Sequence, residues 1–218
     1  MNRIVAFALI FVASVLVTYW FFMRPEPDLP IYQPSDINPA LVDASVRAKE
    51  DHRVMEFRLV NHLGDTVTLA DVEGQILVAD FFFTRCATIC PLMTKNLKRI
   101  HDRLPADAPV QLLSHSVTPE ADSVSVLKAY ADKHEADPGR WWFLTGPKDD
   151  IYTLARKSYF ACLDEGDGGY QDFVHTENVV LVDAQGRLRG FYDGTSQEDI
   201  TQLFSDLSFL LKKKAEKK

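Results

Sequence analysis

The stretch Gln75–Phe83, QILVADFFF, is apolar almost without a break. A strand half-exposed to water would alternate polar and apolar side chains. A continuous apolar run of this length fits a strand buried on both faces. Such a strand needs a packed layer on either side, which points to an α/β architecture. The run leads directly into TRCATICPLM, so two of the chain's three cysteines, Cys86 and Cys90, follow it four residues apart.

The segments around this strand fill out the architecture. Val54–Asn61 and Thr66–Leu69 flank the turn NHLGD and read as a hairpin. Pro91 suits the first position of a helix, where a missing N–H costs nothing, and Leu92–Leu104 continues that helix. Val110–Val117 is a further strand. Thr118-Pro119-Glu120 reads as a cap opening a helix to about Glu135. Trp141–Leu144 is a short strand and Lys148–Phe160 a helix. Asn178–Asp183 and Leu188–Tyr192 form a second hairpin. Ser196 caps a last helix, with Asp199 three residues on, that runs to about Leu211. Strands alternating with helices predict a mixed, largely parallel central sheet with flanking helices and an added β-hairpin. The cysteines fall at the carboxyl end of the central strand, where sites gather in open α/β sheets.

The ends of the chain differ from its body. Ile4 to Met23 is uncharged, and its 20 residues suffice for one transmembrane helix. A cleaved signal peptide would have a shorter apolar region ending in small residues, whereas this one ends in YWFFMR. Residues 1–3 form a cytoplasmic end and 4–23 an uncleaved anchor. Residues 24–48, which contain Pro25, Pro27, Pro30, Pro34 and Pro39, form a stiff linker. Residues 49–211 form the domain and 212–218 a solvated basic tail. Between positions 25 and 211 there are 17 basic and 30 acidic residues. A body so acidic repels nucleic acid.

Three chemistries compete for Cys86 and Cys90. Buried thiols are common core residues, but these two lie in a polar loop. A helix N-terminus beside them, with Arg85, favours thiolate. That suits a redox pair like Cys-x-x-Cys at a strand–helix junction, although the spacing here is one residue longer. Two thiolates also grip a soft ion such as Cu(I), and imidazole would complete the shell. His52, His62, His101 and His134 lie in polar or helical-surface stretches and are expected in solvent. His115, in SHSV on a strand, is expected to be structural. His175, in QDFVHTENVVLV just before a buried strand, is the candidate third ligand. Asp80 resembles the acid that precedes the cysteines in thioredoxins. Met93 is expected in the core.

DFFFTRCATICPLMTKNL, SVTPEAD and DFVHTENVVLVDAQGRLRGFYDG together resemble the Sco (SenC) family of copper-binding assembly proteins for cytochrome c oxidase. The likeness covers roughly residues 50–211, and the 89 residues from Cys86 to His175 fit the family's interval. It implies a thioredoxin-like fold tethered by one N-terminal helix, with copper held by Cys86, Cys90 and His175 as Cu(I) or Cu(II). The implied partner is the subunit carrying the dinuclear copper site of an oxidase. Other periplasmic copper carriers or thiol reductases could also meet it. The implied location is a bacterial inner membrane, with a single pass and the domain facing the periplasm or exterior. The alternatives are a thiol–disulfide oxidoreductase acting on partner cysteines and a copper or redox sensor. Many members have Asp-Pro where this chain has Thr118-Pro119. Cys162 matches no motif of the family and is expected to be structural.

Overall fold

The computed structural model describes residues 3–22, 28–42, 45–162 and 176–216. Its strands are β1 (Arg58–Asn61), β2 (Thr66–Thr68), β3 (Ile76–Phe82), β4 (Val110–Ser116), β5 (Trp141–Thr145), β6 (Asn178–Val182) and β7 (Leu188–Asp193). Its helices are α1 (Arg3–Phe22), α2 (Ile89–Arg103), α3 (Val124–Lys133), α4 (Lys148–Thr153) and α5 (Gln197–Ala215). All seven strands form one sheet in the order β2-β1-β5-β4-β3-β6-β7. β3, β4 and β5 run parallel, while β1 and β6 join them antiparallel. The sheet is therefore mixed, and the hairpin β1–β2 extends one edge of it.

β3 is buried along its whole length, as its apolar run requires. Its side chains alternate between two cores. Leu77, Ala79 and Phe81 face a layer that includes Ile151, Tyr159 and Phe160. Ile76, Val78 and Phe82 face Leu97 and Ile100 of α2, Leu127 of α3 and Leu203 and Leu207 of α5. Each fully buried Leu or Phe contributes about 1.5–3 kcal/mol relative to exposure. Asp80 lies on the α2 face of this strand and is a buried carboxylate.

Several boundaries differ from the sequence reading. α2 begins at Ile89, so Pro91 is its third residue and not its first. The first four amides of a helix lack intrahelical partners, so a proline there loses no bond. Residues 118–122 make a separate turn, and α3 starts only at Val124. The Asp122 carboxylate is drawn inward by Thr84, Ser116 and Thr118, which interrupts the expected helix. α4 gives way to a π-helical turn over Leu154–Ser158. α5 extends past Leu211 to Ala215, with Lys212, Lys213 and Lys214 in the last turn, where cations complement the helix dipole.

Residues 28–42 pack in part against the domain. Ile37 and Val42 are buried in the core, and Tyr32 N–H donates to Leu188 O at 2.9 Å, covering the exposed edge of β7. The prolines favour extension, but the apolar residues between them pin the segment down. α1 is long and apolar enough to cross a membrane, and none of the stretch Arg3–Trp20 is buried against the domain.

Candidate metal and redox centre

The cysteine loop is positioned before its chemistry begins. β3 ends at Phe82, and Phe83 O accepts from Cys86 N–H at 3.3 Å, closing a tight turn. Thr84 is fastened from the side. Its N–H and Oγ1 donate to the Asp122 carboxylate at 3.1 and 2.5 Å. Ser116 Oγ, at the end of β4, donates to the same carboxylate at 2.7 Å. Thr118 Oγ1 adds a fourth bond at 3.2 Å. Thr118 therefore stabilises the site's border through its hydroxyl. Asp122 is fully buried, so these donors replace its lost water.

The two sulfurs occupy unlike environments. Cys86 is half-buried, just before α2, and Cys90 N–H donates to its Sγ at 3.4 Å. Thr88 Oγ1 lies 3.9 Å from the same sulfur. Burial alone would raise the Cys86 pKa, but the amides of Cys90 and Thr88 outweigh it and bring the thiol down to about 7. Arg85, expected to help, is exposed, and the lowering comes from these hydrogen bonds. Cys90 is 3% exposed and packs in the α2-side core, where Met93 is completely buried. Burial, opposed in part by a bond with the Phe83 backbone and reinforced by the neighbouring sulfur, pushes Cys90 up to about 12.

Beneath the loop, Asp80 accepts a bond from Ser114 Oγ at 2.5 Å, and Trp141 Nε1 donates to the same hydroxyl at 2.9 Å. Burial raises the Asp80 carboxyl to about 7, against the opposing pull of Ser114. Thr94 and Tyr130 share a bond at 2.9 Å on the neighbouring helices. Sequence reasoning singled out Asp80. It missed Asp122, Ser114 and Thr84, because their role depends on neighbours in space. The only signal was the position of Asp122 at the end of SVTPEAD.

The histidines require correction. His52, His62 and His101 are buried and not solvated. His52 Nε2 bonds Ser158 O at 2.8 Å, and His62 Nδ1 accepts from Phe143 N–H at 3.3 Å. Both rings fill gaps against aromatic side chains, His52 on Phe160 and His62 on Phe143. His101 lies tilted against Trp141, and His134 is partly buried against Tyr130. His115 is structural as expected, lying between Phe81 and Tyr159 with Nδ1 bonded to Asp80 O at 3.2 Å. Cys162 is buried beside Ala161. His175 lies outside the described residues. Among the described residues, no group of three or more His, Cys, Asp and Glu side chains could hold a metal ion.

A parallel-centred sheet with a cysteine pair at the β3–α2 junction, one sulfur half-buried and one buried, defines a thioredoxin-like domain. Comparison with known proteins carries the assignment further. A profile of the family described as SCO1/SenC matches residues 46–211, and the chain belongs to that family. It is similar to the SCO1 protein homolog of Bacillus subtilis, with 32% identity over 159 residues, covering 72% of this chain and 82% of the homolog. It also resembles the solved structure of BsSco, described as a member of the Sco family of cytochrome c oxidase assembly proteins with a disulfide switch. That match has 31% identity and a TM-score of 0.63, covering 75% of this chain and 95% of the other. Copper-bound ScoI of Bradyrhizobium japonicum shares the fold, at 23% identity and a TM-score of 0.58, covering 72% of this chain and 99% of the other.

Proposed function

We propose that this protein is a membrane-anchored copper chaperone that takes its cargo on Cys86, Cys90 and His175 and supports assembly of the dinuclear copper site of a cytochrome c oxidase. The observation that carries the reading is the preorganised sulfur pair, with Cys86 held by the Cys90 amide and poised near neutral pH. Two thiolates favour soft Cu(I) over harder ions. The place of β6 supports His175 as third ligand. That strand pairs antiparallel with β3, Ala79 opposite Val180, so its start lies at the sheet end where β3 delivers the cysteines. Thr176, the next residue after position 175, is anchored there by a bond from its Oγ1 to Ala161 O at 2.5 Å.

Two thiolates and a neutral imidazole would give a Cu(I) site of net charge −1 with one side open. An incoming partner thiol could then displace these donors in turn, so the ion need not pass through water. Cys90 must give up a proton to become a ligand, so copper affinity rises with pH below about 12. α1 would hold the domain at a bacterial inner membrane, with the site facing the periplasm or exterior.

The unequal acidities of the sulfurs favour thiol–disulfide exchange as a second reading. The Cys86 thiolate would attack a partner disulfide and form a mixed disulfide, releasing one partner thiolate. Cys90 would then lose its proton and displace the second, leaving Cys86–Cys90 oxidised and the partner reduced by two electrons. One substitution separates the readings. His175→Ala is expected to weaken Cu(I) binding at least a hundredfold, measured by competition with a chromogenic chelator, and to leave dithiol oxidation intact. Unchanged affinity in that variant would remove the three-ligand site.

A further inference from the structure

The inference rests on reading α1 as a membrane anchor. We infer that the basic end of α5, together with Arg187 and Lys213–Lys214 around the cleft beside it, docks on the anionic phospholipid headgroups of the membrane that holds α1, so that the cysteine end of the sheet points away from the bilayer.

Several observations converge on one face. A cavity of about 320 Å³ opens at the amino end of β3, lined by Gly74, Asp183, Arg187, Arg189, Lys213 and Lys214. The chain leaving α1 is fastened at this place. Arg189, whose side chain is 2% exposed, donates to Asp28 Oδ1 at 2.8 Å, Leu29 O at 2.6 Å and Pro30 O at 2.9 Å. Its remaining nitrogen pairs with Asp183 at 2.8 Å. Lys213 also pairs with Asp28, and Lys214 donates to Gly74 O. Only residues 23–27 separate Phe22 from Asp28. Six Cα steps reach at most about 21 Å. This end of the domain is therefore held within a short tether of the membrane surface.

Charge selects what it can meet there. Around the cleft and the end of α5, the five cations Lys212, Lys213, Lys214, Arg187 and Arg189 outnumber the four acids Asp28, Glu73, Asp183 and Glu216. Lys217 and Lys218 add to the basic end of the sequence. The body as a whole is strongly acidic, with 30 acidic against 17 basic residues between positions 25 and 211. An anionic leaflet repels that body and attracts this one corner once it comes within about a Debye length, roughly 8–10 Å. The seven residues of β3 then separate the docked end from the cysteine loop by about 20 Å. A partner's copper site would be met at that height above the lipid.

The test uses the full chain in lipid nanodiscs, made from neutral phosphatidylcholine alone or with anionic phosphatidylglycerol. Hydrogen exchange is followed over residues 72–76, 184–187 and 208–216. The expected result is exchange slowed about fivefold in the anionic discs, no such slowing in neutral ones, and its loss at high salt. Lys212→Gln alone should reduce the slowing, and Lys212→Gln with Lys214→Gln should remove it. Equal exchange in both discs, with the chain still floating on neutral vesicles, would overturn the docking and leave the anchor standing. Failure to float on neutral vesicles would overturn the anchor and the docking together.

Discussion

The two ends of β3 are built on opposite rules. At its amino end, the buried charges are paired. Arg189 is buried between Asp183 and the chain at Asp28–Pro30, and Asp183 also receives Arg187. Burial pulls Asp183 up, but these bonds outweigh it and keep its carboxyl below the usual range. At the carboxyl end, among the described residues, Asp80 has one hydroxyl donor, Cys90 is sealed in apolar surroundings, and Cys86 has amides but no countercharge. Full pairing locks structure, whereas burial of Asp80 and the amide bonds to Cys86 give both groups a protonation that can change near neutral pH. A single strand carries both because its apolar middle isolates one end from the other.

The largest stability effect belongs to the matched end. Arg189→Ala strands Asp183 without its buried partner and should cost about 3–5 kcal/mol in urea unfolding. Asp28→Asn removes only the half-exposed partner and should cost less than about 1 kcal/mol. Equal losses in the two variants would mean that burial does not govern this network.

Asp80→Asn probes the opposite end. Burial raises the folded-state pKa of Asp80 from 3.8 to about 7. A raised carboxyl contributes stability that is fully present below pH 3.8 and is lost as pH rises through about 7. The asparagine variant should therefore gain on the native protein as pH goes from 4 to 8, by up to about 4 kcal/mol. A pH-independent difference would show that Asp80 stays ionised throughout.

Asp122→Asn is smaller. It keeps the shape but weakens four bonds from Thr84, Ser116 and Thr118, so about 1.5–3 kcal/mol should be lost. The same variant should release the cysteine loop, and the alkylation midpoint of metal-free Cys86 should climb from about 7 toward an ordinary thiol value. A loss of stability with an unmoved midpoint would make Asp122 a structural residue with no hold on the sulfur.

These contrasts explain what could be read from the residues alone. The unbroken apolar run of β3, the helical spacing of α2 and the hairpin around Gly186, whose φ is +78°, announced the sheet and the place of the cysteines. Periodicity speaks for neighbours along the chain. It could not show that Asp122 reaches back 38 residues to Thr84, which is why a helix was expected where a turn forms. It could not show that Arg189 reaches Asp28 and fastens the chain there. Buried His52 and His62 were misread because polar sequence context does not reveal a partner far along the chain.

The central claim is tested most directly by X-ray absorption on the reduced protein loaded with one equivalent of Cu(I). The account predicts two sulfur neighbours and one imidazole nitrogen, with the nitrogen lost in His175→Ala and a sulfur lost in Cys90→Ser. A native spectrum with sulfur alone, unchanged by His175→Ala, would contradict it.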